Sequence, residues 1–209
     1  CSEGNYAIIM NGPRGWSGPE YAQGWSFNVP TEEFYNSFEE GDSRRDATVL
    51  DIEAFAAATG SSYTEGYDHT GYFNNKYIPR AGESGGQTEL NYLTNFRIIR
   101  YSDVLLMAAE AYNRGGIDDG LAQEFLNQVR RRAFGDDDHD ISASGTALTD
   151  AIWEERKFEL SLEGHRFFDL VRTGRASSLI PGFVEGKHEV FPIPQQEIDI
   201  SGLTQNAGY

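Results

Sequence analysis

Apolar residues follow a helical period in the second half of the chain. In the segment 102–114 they recur every three or four positions, which predicts an amphipathic helix whose buried face carries Val104, Leu105, Ala108 and neighbouring alanines. A second segment of this kind, 118–133, follows a two-glycine link and presents Leu121, Phe125, Leu126 and Val129 on one side. The pair predicts an antiparallel, tetratricopeptide-like hairpin. Because one hairpin cannot bury both of its faces, we expect such units to be stacked.

A third helix is predicted at about 147–163 and a short one at 165–172. On a helical wheel Glu155 and Glu159 fall on the apolar stripe, where a charge must be paired or neutralised. One interpretation is a glycosidase-type acid/base pair. The favoured alternative is an ion-pair network, because carboxylates four residues apart on one helix point the same way. The candidate partners are four arginines, Arg100, Arg130, Arg156 and Arg166.

The first half of the chain has a less regular pattern. One short apolar run, Tyr6–Met10, predicts a strand, and a loop rich in glycine, proline and tryptophan follows it. Thr31 is suited to cap a helix that Gly41 ends, with Phe34 and Phe38 on its buried face. Residues 57–95 are expected to form long surface loops around one extended piece, 71–78. Long loops in a compact domain are often functional.

Charge and composition exclude several classes of protein. With 33 acidic and 17 basic residues the net charge is −16, which repels phosphate backbones and anionic lipid but not neutral sugars. The chain shows no HExxH, CxxC, GxSxG or GxxxxGK[ST] signature. No apolar run reaches the roughly 20 residues of a membrane span. Cys1 precedes the first apolar run without a flexible tether, so we expect a mid-chain residue and not a lipidated one.

Three aromatic residues of the first loop are the predicted ligand contacts. Trp16, Tyr21 and Trp25 lie in a segment whose local pattern does not require them in a core. Flat rings of this type stack on the apolar faces of pyranose sugars, while amide and carboxylate side chains bind the hydroxyl groups. The alternative, that the rings anchor the loop onto the domain, is equally open for each of them.

One acidic loop is a candidate cation site. Asp136, Asp137, Asp138 and Asp140 offer the oxygen ligands that Ca²⁺ prefers, together with His139. The loop lacks the glycine and the distal glutamate of an EF-hand. A solvated acidic loop is therefore the favoured interpretation, and no cofactor is expected.

A series of motifs resembles the SusD/RagB family. Arg100–Ala111 is similar to the RYADVLLMxAEA helix of that family, and Phe125–Arg130 is similar to its LNxVRxRA. The third helix, Ile152–Leu170, resembles IxxERxxELxxEGxRFxDL. The closing segments Phe191–Ile198 and Gln205–Tyr209 resemble FPIPxxEI and QNPGY. Two departures are Thr173, where a tryptophan is common, and Ala207, which replaces a proline.

This resemblance implies a mainly α, SusD-like fold and a non-catalytic protein that captures oligosaccharides. It also implies a lipid anchor on the outer face of the outer membrane and a SusC-like TonB-dependent transporter as partner. Family members are longer, so the chain is interpreted as the C-terminal portion, without the N-terminal helical repeats. Residues 1–95 would be its loop-rich, ligand-binding region, and 96–209 its helical region with the closing FPIP tail. Two alternatives are a scaffold without a sugar site and a glycoside hydrolase that uses Glu155 and Glu159.

Overall fold

Helices dominate the structure, a computed structural model that describes residues 7–83 and 92–209. This confirms the mainly α class. In chain order the elements are α1 (Ala7–Met10), β1 (Arg14–Ser17), α2 (Glu32–Asn36), α3 (Arg44–Thr48), β2 (Val49–Asp51), α4 (Ile52–Thr59), β3 (Ser62–Thr64), β4 (Tyr72–Asn74), α5 (Tyr101–Arg114), α6 (Asp119–Phe134), α7 (Gly145–Glu159), α8 (Arg166–Arg172), α9 (Ala176–Leu179) and α10 (Gln195–Ser201). Cys1, and with it the prediction about its origin, lies outside the described residues.

The predicted hairpin is formed by α5 and α6, and α7 packs against both. Their shared core is one cluster of buried aliphatic side chains: Leu105, Leu106, Ala109, Ala122, Leu126, Val129, Leu148 and Ile152. The hairpin is confirmed, but part of its predicted buried face is wrong. Val104 and Leu121 are exposed, because α7 packs on the side of α5 that carries Leu105, Leu106 and Ala109.

Local signals explain where the long helices begin and end. The Asp118 carboxylate accepts a hydrogen bond from the Leu121 backbone N–H and caps α6, which ends at Gly135 with a left-handed φ of 84°. The third helix ends at Glu159, four residues before the predicted end, and Leu162 then adopts a left-handed φ of 62°. This turn places Glu163 near Glu159, at the end of α7.

Two small antiparallel sheets, β1–β3 and β2–β4, organise the loop-rich region. They surround a second core of six buried residues: Trp16, Tyr21, Leu50, Ile52, Phe73 and Ile78. The extended piece predicted at 71–78 contains β4, whereas α3 and α4 were not predicted. The helix that Thr31 caps is confirmed, but it ends at Asn36 and not at Gly41.

The prediction of a strand at Tyr6–Met10 is wrong for residues 7–10, the part of it that the structure describes. Ala7–Met10 forms the short helix α1, which buries Ile8 and Ile9. A run of four apolar residues has no period that distinguishes a strand from a buried helical turn. Tyr6 lies outside the described residues.

Contacts divide the chain into two compact units, Cys1–Glu163 and Gly164–Tyr209. In the second unit the closing motifs bind each other: the Gln205 side chain makes 2.8 Å hydrogen bonds to both the N–H and the carbonyl of Ile193. Asn206 donates to the Phe191 carbonyl. The FPIP tail also includes a short helix, α10, which begins after Pro194. In the described ranges no helix has the length and apolar character needed to cross a membrane.

Candidate functional site

An open cleft of about 300 Å³ lies between the first loop and the turn after β3. The first loop contributes Arg14 and residues 25–29 to the lining, and the turn contributes Gly66, Tyr67 and Asp68. Three aromatic rings, one guanidinium, one amide and one carboxylate therefore face a single volume. Its lining contains one positive and one negative side chain, Arg14 and Asp68, so the cleft itself is close to neutral in a strongly acidic chain.

The backbone of the first loop is held in a fixed position. Residues Gly24 to Phe27 donate four hydrogen bonds of 2.7–2.8 Å to carbonyls between Ile9 and Pro13. This pairing brings Gly24 and Gly12 so close that a Cβ added at Gly24 would lie 2.4 Å from the Gly12 Cα. Glycine is therefore required at this crossing. These contacts fix the backbone of the Trp25 side of the cleft.

The aromatic rings of the cleft differ in exposure. Trp25 is half-buried and packs on the cluster that contains Ile8, Ile9 and Tyr77. Phe27 is 49% exposed and Tyr67 is 93% exposed. A tyrosine this exposed adds little to the core, and its ring is accessible to a ligand in the cleft.

Backbone strain is concentrated in this cleft. The described residues include five non-glycine positions with positive φ, and three of them, Ser26, Asn28 and Asp68, line it. Left-handed conformations cost an ordinary residue roughly 1–2 kcal/mol but are tolerated by Asn and Asp, so the cost in this cleft falls mainly on Ser26. The Ser26 hydroxyl accepts a 3.0 Å hydrogen bond from the Arg14 backbone N–H, which stabilises the turn.

The structure separates the three predicted ligand contacts. Trp25 lines the cleft, but Trp16 and Tyr21 are only 9% and 6% exposed. Their rings lie 6.0 Å apart in an edge-to-face arrangement and both contact Phe55. Burial raises the pKa of the Tyr21 hydroxyl, although Arg80 opposes this effect. These two rings therefore anchor the loop on the second core. A direct ligand contact at any of the three stays a prediction.

Sequence reasoning missed several residues of the cleft: Arg14, Phe27, Asn28, Tyr67 and Asp68. Tyr67 and Asp68 do lie in the region 57–95 that was marked as long and possibly functional loops. Only the folded chain reveals that this turn meets the first loop, since the two are about 40 residues apart in sequence.

The carboxylates Glu155 and Glu159 form a buried ion-pair network. Both are 2% exposed. Glu155 binds Arg44 and Arg130, at 2.5 and 3.0 Å, and Glu159 binds Arg44, Arg100 and Arg132. This confirms the favoured interpretation and two of its predicted partners. Arg156 instead pairs with Asp103, at 2.8 Å.

Electrostatics also argue against an acid role for Glu159. Burial alone would raise the pKa of Glu159, but hydrogen bonds from Arg100 and the charge of Arg132 hold it at about 2. Glu163 is shifted in the same direction, because Arg100 and Lys76 outweigh its burial and keep its pKa low. A glycosidase acid needs a raised pKa, so that it holds a proton near neutral pH. Glu159 is ionised there.

Two carboxylates of the acidic loop at 136–140 already bind partners within the protein. Asp136 accepts from the His139 ring at 2.9 Å, which lowers the pKa of Asp136, and Asp140 pairs with Arg131. Over residues 7–83 and 92–209, no three acidic, histidine or cysteine side chains are grouped as metal ligands would be. The calcium site stays a prediction.

Comparisons with known proteins agree with one another. The family model for the SusD family matches residues 2–189. SusD-like protein P2 of Formosa agariphila is 29% identical over 98% of this chain and 45% of its own length. A solved laminarin-binding SusD-like protein is 42% identical, with a TM-score of 0.86 over 100% of this chain and 45% of that one. Surface glycan-binding protein A from Bacteroides thetaiotaomicron, in complex with laminarihexaose, is 35% identical, with a TM-score of 0.86 over 97% of this chain and 46% of that one. The chain thus spans less than half the length of these relatives.

Proposed function

The chain belongs to the SusD family, and on that basis we propose that it is a non-catalytic surface glycan-binding protein that captures oligosaccharides. Two solved relatives are described as a laminarin-binding protein and as a complex with laminarihexaose. We extend this ligand class to the chain: a neutral glucan of the laminarin type, bound in the cleft between the first loop and Tyr67.

The observation that carries the proposal is the chemistry of that cleft. Trp25, Phe27 and Tyr67 offer ring faces to the apolar sides of sugars, and Arg14, Asn28 and Asp68 offer hydrogen-bonding groups at its walls. The opposite charges of Arg14 and Asp68 suit an uncharged ligand. A few polar groups set among aromatic surfaces are typical of small-molecule sites.

Trp16 and Tyr21 enter the proposal as supports of this site. Both pack in the core beneath β1, and Trp25 is the one of the three that lines the cleft. Of the three predicted contacts, we therefore propose Trp25 as the direct one.

Family membership also supports the cellular setting that we propose. The protein would act at the cell-surface face of the outer membrane, held by a lipid anchor on the full-length protein. It would deliver its oligosaccharide to a SusC-like TonB-dependent transporter. Nucleic acid is disfavoured as a partner by the net charge of −16.

The experiment is a calorimetric titration with laminarihexaose, and with maltohexaose as a matched glucan of different linkage. We expect saturable binding of laminarihexaose, weaker or no binding of maltohexaose, and a loss of binding in Trp25→Ala. A folded chain that binds neither glucan would contradict the proposal and favour a scaffold that docks on the transporter without a sugar site.

The hydrolase alternative has its own test. Incubation with laminarin should release no new reducing ends. Release that Glu155→Gln or Glu159→Gln abolishes in a folded protein would contradict the non-catalytic assignment.

A further inference from the structure

A second cavity, of about 400 Å³, lies among α3, α6, α7 and the segment that precedes α5. Its lining is unusually basic for a chain of net charge −16. Two carboxylates line it, Glu159 and Glu163. The cationic side chains that line it are five: Arg44, Lys76, Arg97, Arg100 and Arg132.

Three of these cations are occupied by the protein itself. Lys76 donates to the Glu159 carbonyl, the Ser161 carbonyl and the Glu163 carboxylate, which uses its three N–H bonds. Arg100 donates from all three of its nitrogens, to Glu163, Glu159 and Ser102. Arg44 binds Asp42, Glu155 and Glu159. These side chains form the closed wall of the cavity.

The other two cations, Arg97 and Arg132, keep donors available. Among the described residues no carboxylate lies within ion-pair distance of Arg97, whose guanidinium stacks 5.6 Å from the Tyr77 ring centre. Arg132 uses one nitrogen on Glu159, at 2.5 Å, while its side chain is 56% exposed. Each guanidinium has five N–H donors, so both present unused donors to the same cavity.

Among the residues that the structure describes, the charges around the cavity do not balance. Its five cations face four carboxylates: Glu159 and Glu163 in the lining, and Asp42 and Glu155 behind Arg44. Arg130 binds both Glu155 and Glu39. Counting Arg130 and Glu39 as well adds one positive and one negative charge, which leaves the balance unchanged. One positive charge is left over, and Arg97 is the side chain without a carboxylate.

From this geometry we infer that the cavity is a second binding site, which takes a single carboxylate group between Arg97 and Arg132. One carboxylate neutralises the excess charge and matches the planar fork of a guanidinium. The ligand class is a small organic acid, either an acidic sugar such as a hexuronate or a simple carboxylic acid. Such a site would be separate from the neutral cleft at Trp25 and would not depend on the proposed function.

The test is a calorimetric titration at low ionic strength with sodium glucuronate, sodium acetate and glucose. We expect saturable binding of glucuronate and no binding of glucose. Equal binding of acetate would identify the carboxylate alone as the recognised group, and weaker binding of acetate would identify an acidic sugar. Both outcomes support the site. Equal binding of glucose and glucuronate, or no saturable binding of either acid, would overturn it.

The deciding variant is Arg97→Gln, because Arg97 holds no ion pair whose loss could unfold the protein. We expect its glucuronate affinity to fall by about tenfold or more, the usual size of a charge-assisted contact. Lys187→Gln is the matched control, because it also removes a cation that stacks on a tyrosine ring, Tyr209, outside the cavity, and it should bind as the parent does. Laminarihexaose affinity should not change in Arg97→Gln, which separates this site from the cleft. Unaltered glucuronate binding by Arg97→Gln would contradict the inference.

Discussion

The Nε atom of Arg14 donates a 2.7 Å hydrogen bond to the backbone carbonyl of Trp25. The same guanidinium lies 5.6 Å from the centre of the Phe27 ring. One arginine from the start of the loop thus fixes the backbone of one aromatic residue and packs over the next. Because these contacts hold the Arg14 side chain in place, less conformational entropy is lost when its remaining N–H groups bind a ligand.

Tyr67 gives the sharpest test of the cleft, because its ring is almost entirely exposed and carries little of the fold. We expect Tyr67→Ala to weaken laminarihexaose binding by about five- to tenfold, the effect of one lost ring contact of about 1–1.5 kcal/mol. The midpoint of thermal unfolding should stay within about 1 °C of the parent. Calorimetry and a melting curve measure the two effects.

The matched control for Tyr67 is Tyr101→Ala. Tyr101 is also strongly exposed, but it lies at the start of α5, outside the cleft. Its loss should leave sugar affinity unchanged. If both variants bind as tightly as the parent, ring stacking by Tyr67 plays no part in recognition.

Trp16 is expected to act through stability. Its ring packs on Tyr21 and Phe55 in the second core, so Trp16→Ala should lower the free energy of unfolding by about 3–5 kcal/mol. Trp16→Phe keeps part of that packing and should cost clearly less. Urea unfolding measures both variants. A Trp16→Ala variant with parental stability and lost sugar binding would instead indicate a direct ligand contact.

Gly24 is expected to couple the fold to the cleft. A methyl group there would meet the Gly12 backbone at 2.4–2.6 Å, where no flexible side chain can move aside. Gly24→Ala should therefore separate the paired segments, lower the unfolding midpoint and displace Trp25 enough to weaken sugar binding.

Gly120→Ala is the control for Gly24→Ala. Gly120 lies in the first turn of α6, and its added Cβ would meet the capping Oδ1 of Asp118 at 3.2 Å, a contact that a small rotation of this side chain relieves. Because alanine is favoured over glycine in a helix, this gain offsets any weakening of the cap, and the variant should be close to neutral. Equal losses in both variants would show that the close crossing at Gly12 has no special role.

Sequence reasoning succeeded where a long segment had a clear hydrophobic period and where the residues in contact were near one another in sequence. The hairpin of α5 and α6 spans two segments with clear helical periods and a glycine link. The buried network was predicted from Glu155 and Glu159 on an apolar stripe, and Arg100 and Arg130 were named as partners. Burial of a charge requires a counter-charge, so the existence of a network follows from the helix alone.

The failures share a physical cause, which is dependence on contacts between segments far apart in sequence. Arg44 joins Glu155 although 111 positions separate them, and nothing local in α3 indicates this. Trp16 and Trp25 lie in similar glycine-rich surroundings, yet one packs in a core and the other lines a cleft. The difference depends on partners that the local pattern does not indicate: Trp16 packs on Phe55, whereas Trp25 packs on the edge of the cluster that contains Tyr77.

Glu159 is expected to be critical for stability because three arginines converge on it. Glu159→Gln removes the charge and leaves Arg44, Arg100 and Arg132 with less compensation in a buried site. We expect a loss of about 3–5 kcal/mol in the free energy of unfolding. Glu154→Gln is the control, since Glu154 lies on the same helix and pairs with Lys157 at a partly exposed position. It should cost less than about 1 kcal/mol. Comparable losses in the two variants would contradict the network's importance.

Acid should remove the contribution of Glu159 in a defined pH window. Its pKa is about 2 in the folded chain against an ordinary value of 4.5, so its stabilisation is complete above about pH 4.5 and is lost as the pH falls toward 2. The full effect is about 3 kcal/mol, and the lowered pKa of Glu163 acts in the same direction. Relief of the net charge of −16 works the opposite way as acid is added, because it reduces repulsion in the compact state.

The difference between parent and Glu159→Gln isolates the contribution of this one carboxylate, because both chains share the charge relief. Urea unfolding at pH 7, 5, 4 and 3 should show the two free energies of unfolding converging below about pH 4.5. Curves that stay parallel down to pH 3 would show that Glu159 has an ordinary pKa in the folded protein. The arginines around it would then not hold it ionised, and the argument against an acid role at this position would fail with them.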